Sequence, residues 1–473
     1  MSVMFELGHI KHVHFIGIGG TGMCGIAEVL LRQGYVISGS DVSENVATQW
    51  LKVIGATIYH GHRADYIHDA DVVVYSTAIP ENNPELMAAK TKHIPIVGRA
   101  QMLGELMRFR YGIAVSGTHG KTTTTSLLTS ILAEAQLDPT FVIGGRLNSA
   151  GSNARLGQGQ YLIAEADESD ASFLHLNPMI AIVTNIDQDH MGTYDHQFDR
   201  LKKAFIDFLH KLPFYGLAVL CMDDLHIQSI LNDISRPILT YGFHAEADVR
   251  GTAYQSQGRQ SRFLVYRKAK PPLSVTLNLP GRHNVLNALA AIGVATQLHI
   301  PDEAITRALL YFAGVDRRFQ VHGDFVLPQG GTVTFMEDYG HHPEEIAATV
   351  QAIHECWPDR RIVMVYQPHR YSRTRDLFPD FVRVLSVPQV LLLLDIYAAG
   401  ETPLPNINGQ SLAQAVKNEG KSIVNFVSEQ DALSQHLSNT LRSGDVLVMQ
   451  GAGNISVIAE GLSKSFFHES VHA

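Results

Sequence analysis

A lysine set in a glycine-bounded turn is the first chemistry this sequence offers. The segment is Gly117-Thr118-His119-Gly120-Lys121-Thr122-Thr123, entered from the apolar run Tyr111 to Ser116 and left through a helical pattern to about Ala135. Backbone N–H groups in such a loop, aided by the dipole of the following helix, surround phosphate oxygens. Glycine permits backbone turns that a Cβ blocks. Lys121 then reaches terminal phosphates and the Thr122 hydroxyl faces Mg²⁺. On this reading Lys121 touches phosphate rather than core. The usual pattern has a glycine five residues before Gly120, where this chain has Val115, so the loop is a shorter variant. Gly and Thr also cap ordinary helices. The strand before, the helix after and the lysine at the turn point instead to a bound nucleotide.

A second glycine loop, Gly17-Ile18-Gly19-Gly20-Thr21-Gly22, follows the strand pattern His12 to Ile16 and opens a helical stretch ending near Gln33. A further strand pattern, Tyr35 to Ser38, leads to Asp41, 19 residues after Gly22. That is the dinucleotide fingerprint, and alone it suggests a nicotinamide-dependent dehydrogenase. The physics requires only a diphosphate on a helix N-terminus, which a UDP-linked sugar also carries. A second nucleotide site at Lys121 suits an ATP-consuming ligase better than a simple dehydrogenase. A tight turn without ligand is the plain alternative. A third strand pattern, Asp445 to Met449, runs into Gly451-Ala452-Gly453-Asn454.

Polar residues at the ends of apolar runs complete the set. Tyr161 to Ala164 delivers Glu165, followed by Asp167, Glu168 and Asp170, and Ile180 to Thr184 precedes His190. Carboxylate oxygen suits the hard Mg²⁺ ion, while a solvated loop is the plain reading of Asp167 and Asp170. Asn284 and Asn287, three apart at a helix start, share a face, and Asn284 alone reads equally as a cap. With 24 histidines in the chain a lone one means little. His60, His62 and His68 read as surface residues, and His341 and His369 stand out by following strands.

Short β-branched runs alternating with helical patterns predict an α/β chain of parallel sheets covered by helices. The length of 473 residues fits about two to four domains. Boundaries fall near 108, between a helical stretch (Ala100 to Met107) and the strand before the Lys121 loop, and near 315, where a helical pattern ends. The sequence around 248–280 is strand-rich, and Asn284 to Ala295 reads as a small-residue helix. A composition 45% hydrophobic and 18% charged suits globular cores. The net charge of −9 argues against a nucleic-acid or anionic-membrane surface, though not against anionic small molecules. Three scattered cysteines, Cys24, Cys221 and Cys356, exclude a disulfide framework and fit a reducing compartment. The N-terminal residues show no signal-peptide pattern. Apolar runs such as Val390 to Leu394 fall far short of the roughly 20 residues a bilayer span needs. A cytoplasmic location is expected, with no membrane insertion.

Taken together, these motifs resemble the Mur ligases of peptidoglycan synthesis. The resemblance rests on Gly117–Thr123, Asn185-Ile186-Asp187-Gln188-Asp189-His190-Met191 and Gly281-Arg282-His283-Asn284-Val285-Leu286-Asn287, with Asp316-Arg317-Arg318-Phe319 and Glu337-Asp338-Tyr339-Gly340-His341-His342-Pro343. It covers essentially the whole chain. It implies three α/β domains: a Rossmann-like UDP-sugar-binding domain (1–108), a P-loop ATPase-type parallel sheet binding ATP (109–315), and a Rossmann-like amino-acid-binding domain (316–473). Gly17–Met23 and Gln367-Pro368-His369-Arg370-Tyr371-Ser372-Arg373-Thr374 are similar to the branch that adds L-alanine to UDP-N-acetylmuramate. The resemblance implies that ATP phosphorylates the lactyl carboxylate and that the alanine amine displaces phosphate from the acyl phosphate.

It also implies roles. Glu165 and His190, with Thr122, become ligands of Mg²⁺. Asn284 and Asn287 lie by adenine and ribose, Arg318 reaches the ATP phosphates, Asp338 orients the nucleotide or its neighbours, and Tyr339 packs on adenine. Gly17 to Gly22 and Asp41 take the UDP-sugar, and His341, His369, Arg370 and Arg373 gather carboxylates, for which the planar guanidinium fork is suited. Many family members carry a carbamylated lysine about 15 residues after the histidine. Here Phe205 stands at that offset, beside Lys202 and Lys203, so no carbamate is expected. A sister branch that attaches a murein tripeptide to the same sugar nucleotide is the alternative within the family.

Overall fold

The computed structural model describes residues 7–76, 78–150, 152–327, 330–428, 432–465 and 468–471. The fold is a three-domain α/β arrangement with one sheet per domain. By compactness the chain forms two units. The first runs through Ala253 and includes Phe263–Thr276 and Val285–Ala313; the second holds Tyr254–Arg262, Leu277–Asn284 and the chain from Gly314 onward.

The first unit contains a five-stranded parallel sheet in the order Thr57–His60, Val36–Asp41, His12–Ile16, Val72–Tyr75, Ile96–Gly98. Its central strands are buried on both faces, which is why they read as near-continuous apolar runs. Val36–Asp41 is longer than the expected Tyr35 to Ser38. Its last residues, Ser40 and Asp41, are polar but buried and hydrogen-bonded, so the strand outlasts its hydropathy. The helix Thr21–Arg32 packs against the neighbouring domain. Its Gly25 leaves room that a Cβ would lose at 3.0 Å from Ala154 Cβ.

The second sheet has ten strands. Its parallel core runs Ile238–Gly242, Leu217–Cys221, Ile180–Val183, Tyr111–Ser116, Tyr161–Glu165, Thr140–Leu147, with Ser152–Arg155 antiparallel at one edge. Val249–Gln257, Gln260–Arg267 and Leu273–Leu277 complete the order at the other. Tyr111–Ser116 lies between Ile180–Val183 and Tyr161–Glu165, so the Lys121 loop, the Asn185–His190 segment and the acidic residues after Ala164 leave adjacent strands at the same end. Ligands in open α/β sheets bind at the carboxyl ends of the strands.

The second unit holds a seven-stranded sheet. Ile423–Val427, Val390–Leu394, Ile362–Tyr366, Val446–Gln450 and Thr332–Asp338 are parallel, and Gln320–Val326 and His468–Val471 continue it antiparallel. Helices on both faces bury two apolar layers, one around Met336, Met364 and Phe381, the other around Phe335, Val365 and Leu437. Among the described residues no helix is long and apolar enough to cross a membrane.

Candidate active site

The helix Lys121–Glu134 begins directly after Gly120, which is left-handed at φ 82°. Gly117 is also positive, at φ 126°, and a Cβ there would lie 2.1 Å from Thr184 Oγ1. The loop is clamped by the segment after Ile180–Val183. His119 N–H donates to Asn185 Oδ1 (2.8 Å), while Asn185 Nδ2 (3.0 Å) and Thr184 Oγ1 (2.6 Å) donate to His119 O. Asp187 N–H donates to Thr118 Oγ1 at 2.9 Å. These contacts give Asn185 and Asp187 a structural task that sequence reasoning did not assign. Asn287 closes the loop from the helix Arg282–Gln297: its Oδ1 accepts from Thr124 Oγ1 at 3.2 Å and would lie 2.4 Å from a Cβ on Gly120. Thr122 and Thr123 are buried at the helix start.

Lys121 is held by four hydrogen bonds. Its Nζ donates to Gly117 O (2.7 Å), Thr118 O (3.1 Å) and both oxygens of Glu168 (2.8 and 3.0 Å). These contacts hold the ammonium at the mouth of the loop, on polar partners rather than among core side chains. Glu168 is almost fully buried, and sequence reasoning gave it no role. Burial pushes its carboxyl up to about 7; Lys121 opposes this and the charge of Asp167 adds to it. Burial works to lower Lys121 as well, but the negative charges of Glu168, Asp167 and Glu165 outweigh it and raise the ammonium. Burial also raises Asp167, yet Lys121, two hydrogen bonds from Ser169 and the charge of Arg99 hold it below the usual carboxylate range. Three carboxylates thus face one ammonium.

Glu165 ends its strand as expected, and its Oε1 accepts from Gly144 N–H at 2.9 Å. His190 is left-handed at φ 54°, with Nε2 3.4 Å from Asp189 Oδ2. Lys202 and Lys203 pair with Asp199 and Asp207 on their own helix, and Phe205 is buried against Phe173.

In the first domain Gly17 is left-handed at φ 78°, and the helix opens at Thr21, whose side chain lies outside the described set. A Cβ on Gly19 would lie 2.9 Å from Asp41 Oδ2, and one on Gly22 2.7 Å from Arg99 Nη1. Gly20 N–H closes the turn onto Gly17 O at 3.2 Å. Asp41 braces the loop: Oδ2 accepts Gly19 N–H (2.8 Å) and Oδ1 accepts Ser43 N–H (3.0 Å). His60 and His68 are exposed, but His62 is not the surface residue expected. Its ring is 16% exposed and lies 3.1 Å from the buried Glu85.

In the second unit, Arg317 and Arg318 place their guanidinium carbons 4.9 and 5.0 Å from the centroid of Tyr339, and Arg318 lies 3.6 Å from Glu345. Asp338 is a buried organiser, accepting from Phe319 N–H (2.9 Å), Gly340 N–H (2.8 Å), Thr349 Oγ1 (3.2 Å) and Gln450 Nε2 (3.0 Å). His341 and His369 come together with ring centroids 5.7 Å apart, and His369 stacks on Tyr397. Arg373 is buried with Nη1 3.3 Å from His369 Nδ1, and Arg370 is left-handed at φ 71°. Asn284 lies inside its helix rather than before it and donates from Nδ2 to Pro280 O at 2.7 Å.

Known proteins match this arrangement along its whole length. Residues 12–111 match the model of the Mur ligase family, catalytic domain; 115–295 match the Mur ligase middle domain; 317–453 match the Mur ligase, glutamate ligase domain. The UDP-N-acetylmuramate–L-alanine ligase of Methylococcus capsulatus is 56% identical over 98% of both chains. The crystal structure of UDP-N-acetylmuramate–alanine ligase from Thermotoga maritima superposes with a TM-score of 0.80 at 28% identity, covering 96% of this chain and 99% of that one. A murein peptide ligase from Psychrobacter arcticus shares the fold, with a TM-score of 0.69 at 22% identity over 98% and 100% of the two chains. The chain belongs to the Mur ligase family.

Proposed function

We propose that this Mur ligase joins L-alanine to the lactyl carboxylate of UDP-N-acetylmuramate in the cytoplasm, spending ATP and releasing ADP and phosphate. The 56% identity to an L-alanine ligase over nearly the whole of both chains supports the choice of substrates. The observation that carries the chemistry is the clamped loop with Lys121 at its helix start and Glu165, Asp167 and Glu168 around it. A carboxylate is a poor acyl donor because oxide would have to leave. Transfer of the ATP γ-phosphoryl group to a lactyl oxygen gives an acyl phosphate. The alanine nitrogen adds to its carbonyl, and the tetrahedral intermediate collapses to the amide with loss of phosphate.

Loop N–H groups hold the ATP phosphates, and Lys121 exchanges Glu168 for phosphate oxygen, placing a cation where charge shifts during transfer. The excess of carboxylates over ammonium, all oxygen donors, fits a divalent cation. Thr122, Glu165 and His190 would hold Mg²⁺, which supplies neutralisation of phosphate charge. Gly17, Gly19, Gly20, Thr21, Gly22 and Asp41 are assigned to the UDP-sugar, and His341, His369, Arg370 and Arg373 to carboxylates. Arg318, Asp338, Tyr339, Asn284 and Asn287 keep the nucleotide roles that the family resemblance gives them. UDP-N-acetylmuramate labelled with ¹⁸O in the lactyl carboxylate tests the reaction. One label is expected in the released phosphate, and unlabelled phosphate would overturn the acyl-phosphate route.

A further inference from the structure

A buried hydrogen-bonded chain lies beneath the first glycine loop and takes no part in the chemistry above. His12 Nε2 and His14 Nδ1 each meet Ser38 Oγ at 2.7 Å. His14 Nε2 meets Glu85 Oε2 at 2.7 Å, and the same oxygen accepts from Ser40 Oγ at 2.8 Å. The other oxygen accepts from Arg63 N–H at 3.2 Å and faces His62 Nδ1 at 3.1 Å. His14, Ser40 and Glu85 have no exposed surface. A polar cluster of this kind gives up solvation that an apolar sheet face would not, so its value lies in fixing geometry rather than in burial.

What it fixes is the loop. The carbonyl of Ser40 accepts Gly17 N–H at 2.8 Å and Ile18 N–H at 3.1 Å. The next residue, Asp41, accepts Gly19 N–H on its side chain and Gly61 N–H on its carbonyl, both at 2.8 Å. Three consecutive loop amides therefore end on two strand residues. The side chain of the first is held by Glu85, which also holds the 62–63 segment just beyond Gly61.

We infer that Glu85 is a positioning residue for the first glycine loop, keeping Gly17, Ile18 and Gly19 in the form that receives a sugar-nucleotide diphosphate. The inference rests on the reading of that loop as the UDP-sugar site. Glu85→Gln keeps the side-chain size but turns one acceptor into a donor, and Ser40→Ala removes the hydroxyl that meets Glu85 and His62 while leaving the Glu85 side chain itself intact. In both variants the KM for UDP-N-acetylmuramate is expected to rise, about tenfold for Glu85→Gln, with kcat and the KM for ATP unchanged. Amide exchange at residues 17–19 is expected to accelerate in both. Unchanged exchange and unchanged sugar-nucleotide KM, or equal losses in every kinetic constant, would overturn the inference. Should Glu85→Gln fail to fold, Ser40→Ala decides alone. A wild-type protein with no turnover of UDP-N-acetylmuramate strikes the functional reading instead, and the exchange rates still decide the positioning role.

Discussion

Lys121 and Glu168 form a pair whose two members make different predictions. Lys121→Ala is expected to lower kcat/KM by about a thousandfold, the scale of losing a preorganised charge at a transition state, as measured by phosphate release. Near-normal turnover would remove the lysine from the chemistry. The variant also leaves Glu165, Asp167 and Glu168 facing one another without the ammonium, so it should melt earlier above pH 7, and adding Glu168→Gln should restore part of that loss. Burial pushes the carboxyl of Glu168 up to about 7 in the folded protein, above its ordinary value of 4.5. Its folded form keeps a proton that the unfolded chain has released. Its contribution to stability is therefore full below about pH 4.5 and is lost as pH rises through about 7. Thermal melts should show Glu168→Gln matching the wild type near pH 4 and exceeding it at pH 8. A difference that does not vary with pH would contradict this assignment.

At the scale of elements, the strand–loop–helix unit is the operative piece. Gly120 is left-handed and stands where a Cβ would meet Asn287 Oδ1 at 2.4 Å. Gly120→Ala thus carries roughly 1–2 kcal/mol of backbone strain and also displaces the loop from Asn287. We expect a lower melting temperature and a loss of activity about a hundredfold or greater; wild-type kinetics in this variant would mean the loop conformation is immaterial. Much of this element was legible beforehand, because Tyr111 to Ser116, the glycines and the following helix are local signals. Strand ends are hidden where polar residues close them: Ser40, Asp41 and Gln450 look like loop by hydropathy, yet each is buried and hydrogen-bonded. Glu168 reads in sequence only as one of an acidic run, since its bond to Lys121 spans 47 residues and no local pattern announces it. His62 reads as a surface residue for the same reason, its partner being Glu85 on another element. Asp41 also braces the backbone, each of its oxygens accepting one N–H group, a task its place after the strand does not announce.

For the whole molecule, the alternation of strand and helix patterns announced an α/β chain, and the three sheets bear that out. Composition and charge pointed to globular cores but could not select a substrate. The motifs along the whole length resemble those of the Mur ligases, and the three matched family segments establish the family. Boundaries near 108 and 315 remain our proposal for where the domains divide. The amine donor is the point on which the alanine-adding branch and its tripeptide-adding sister differ, since both activate the same carboxylate. Phosphate release with ATP, Mg²⁺ and UDP-N-acetylmuramate, measured in parallel with L-alanine and with the murein tripeptide, tests the proposed function most directly. Turnover is expected with L-alanine, and turnover with the tripeptide alone would contradict it.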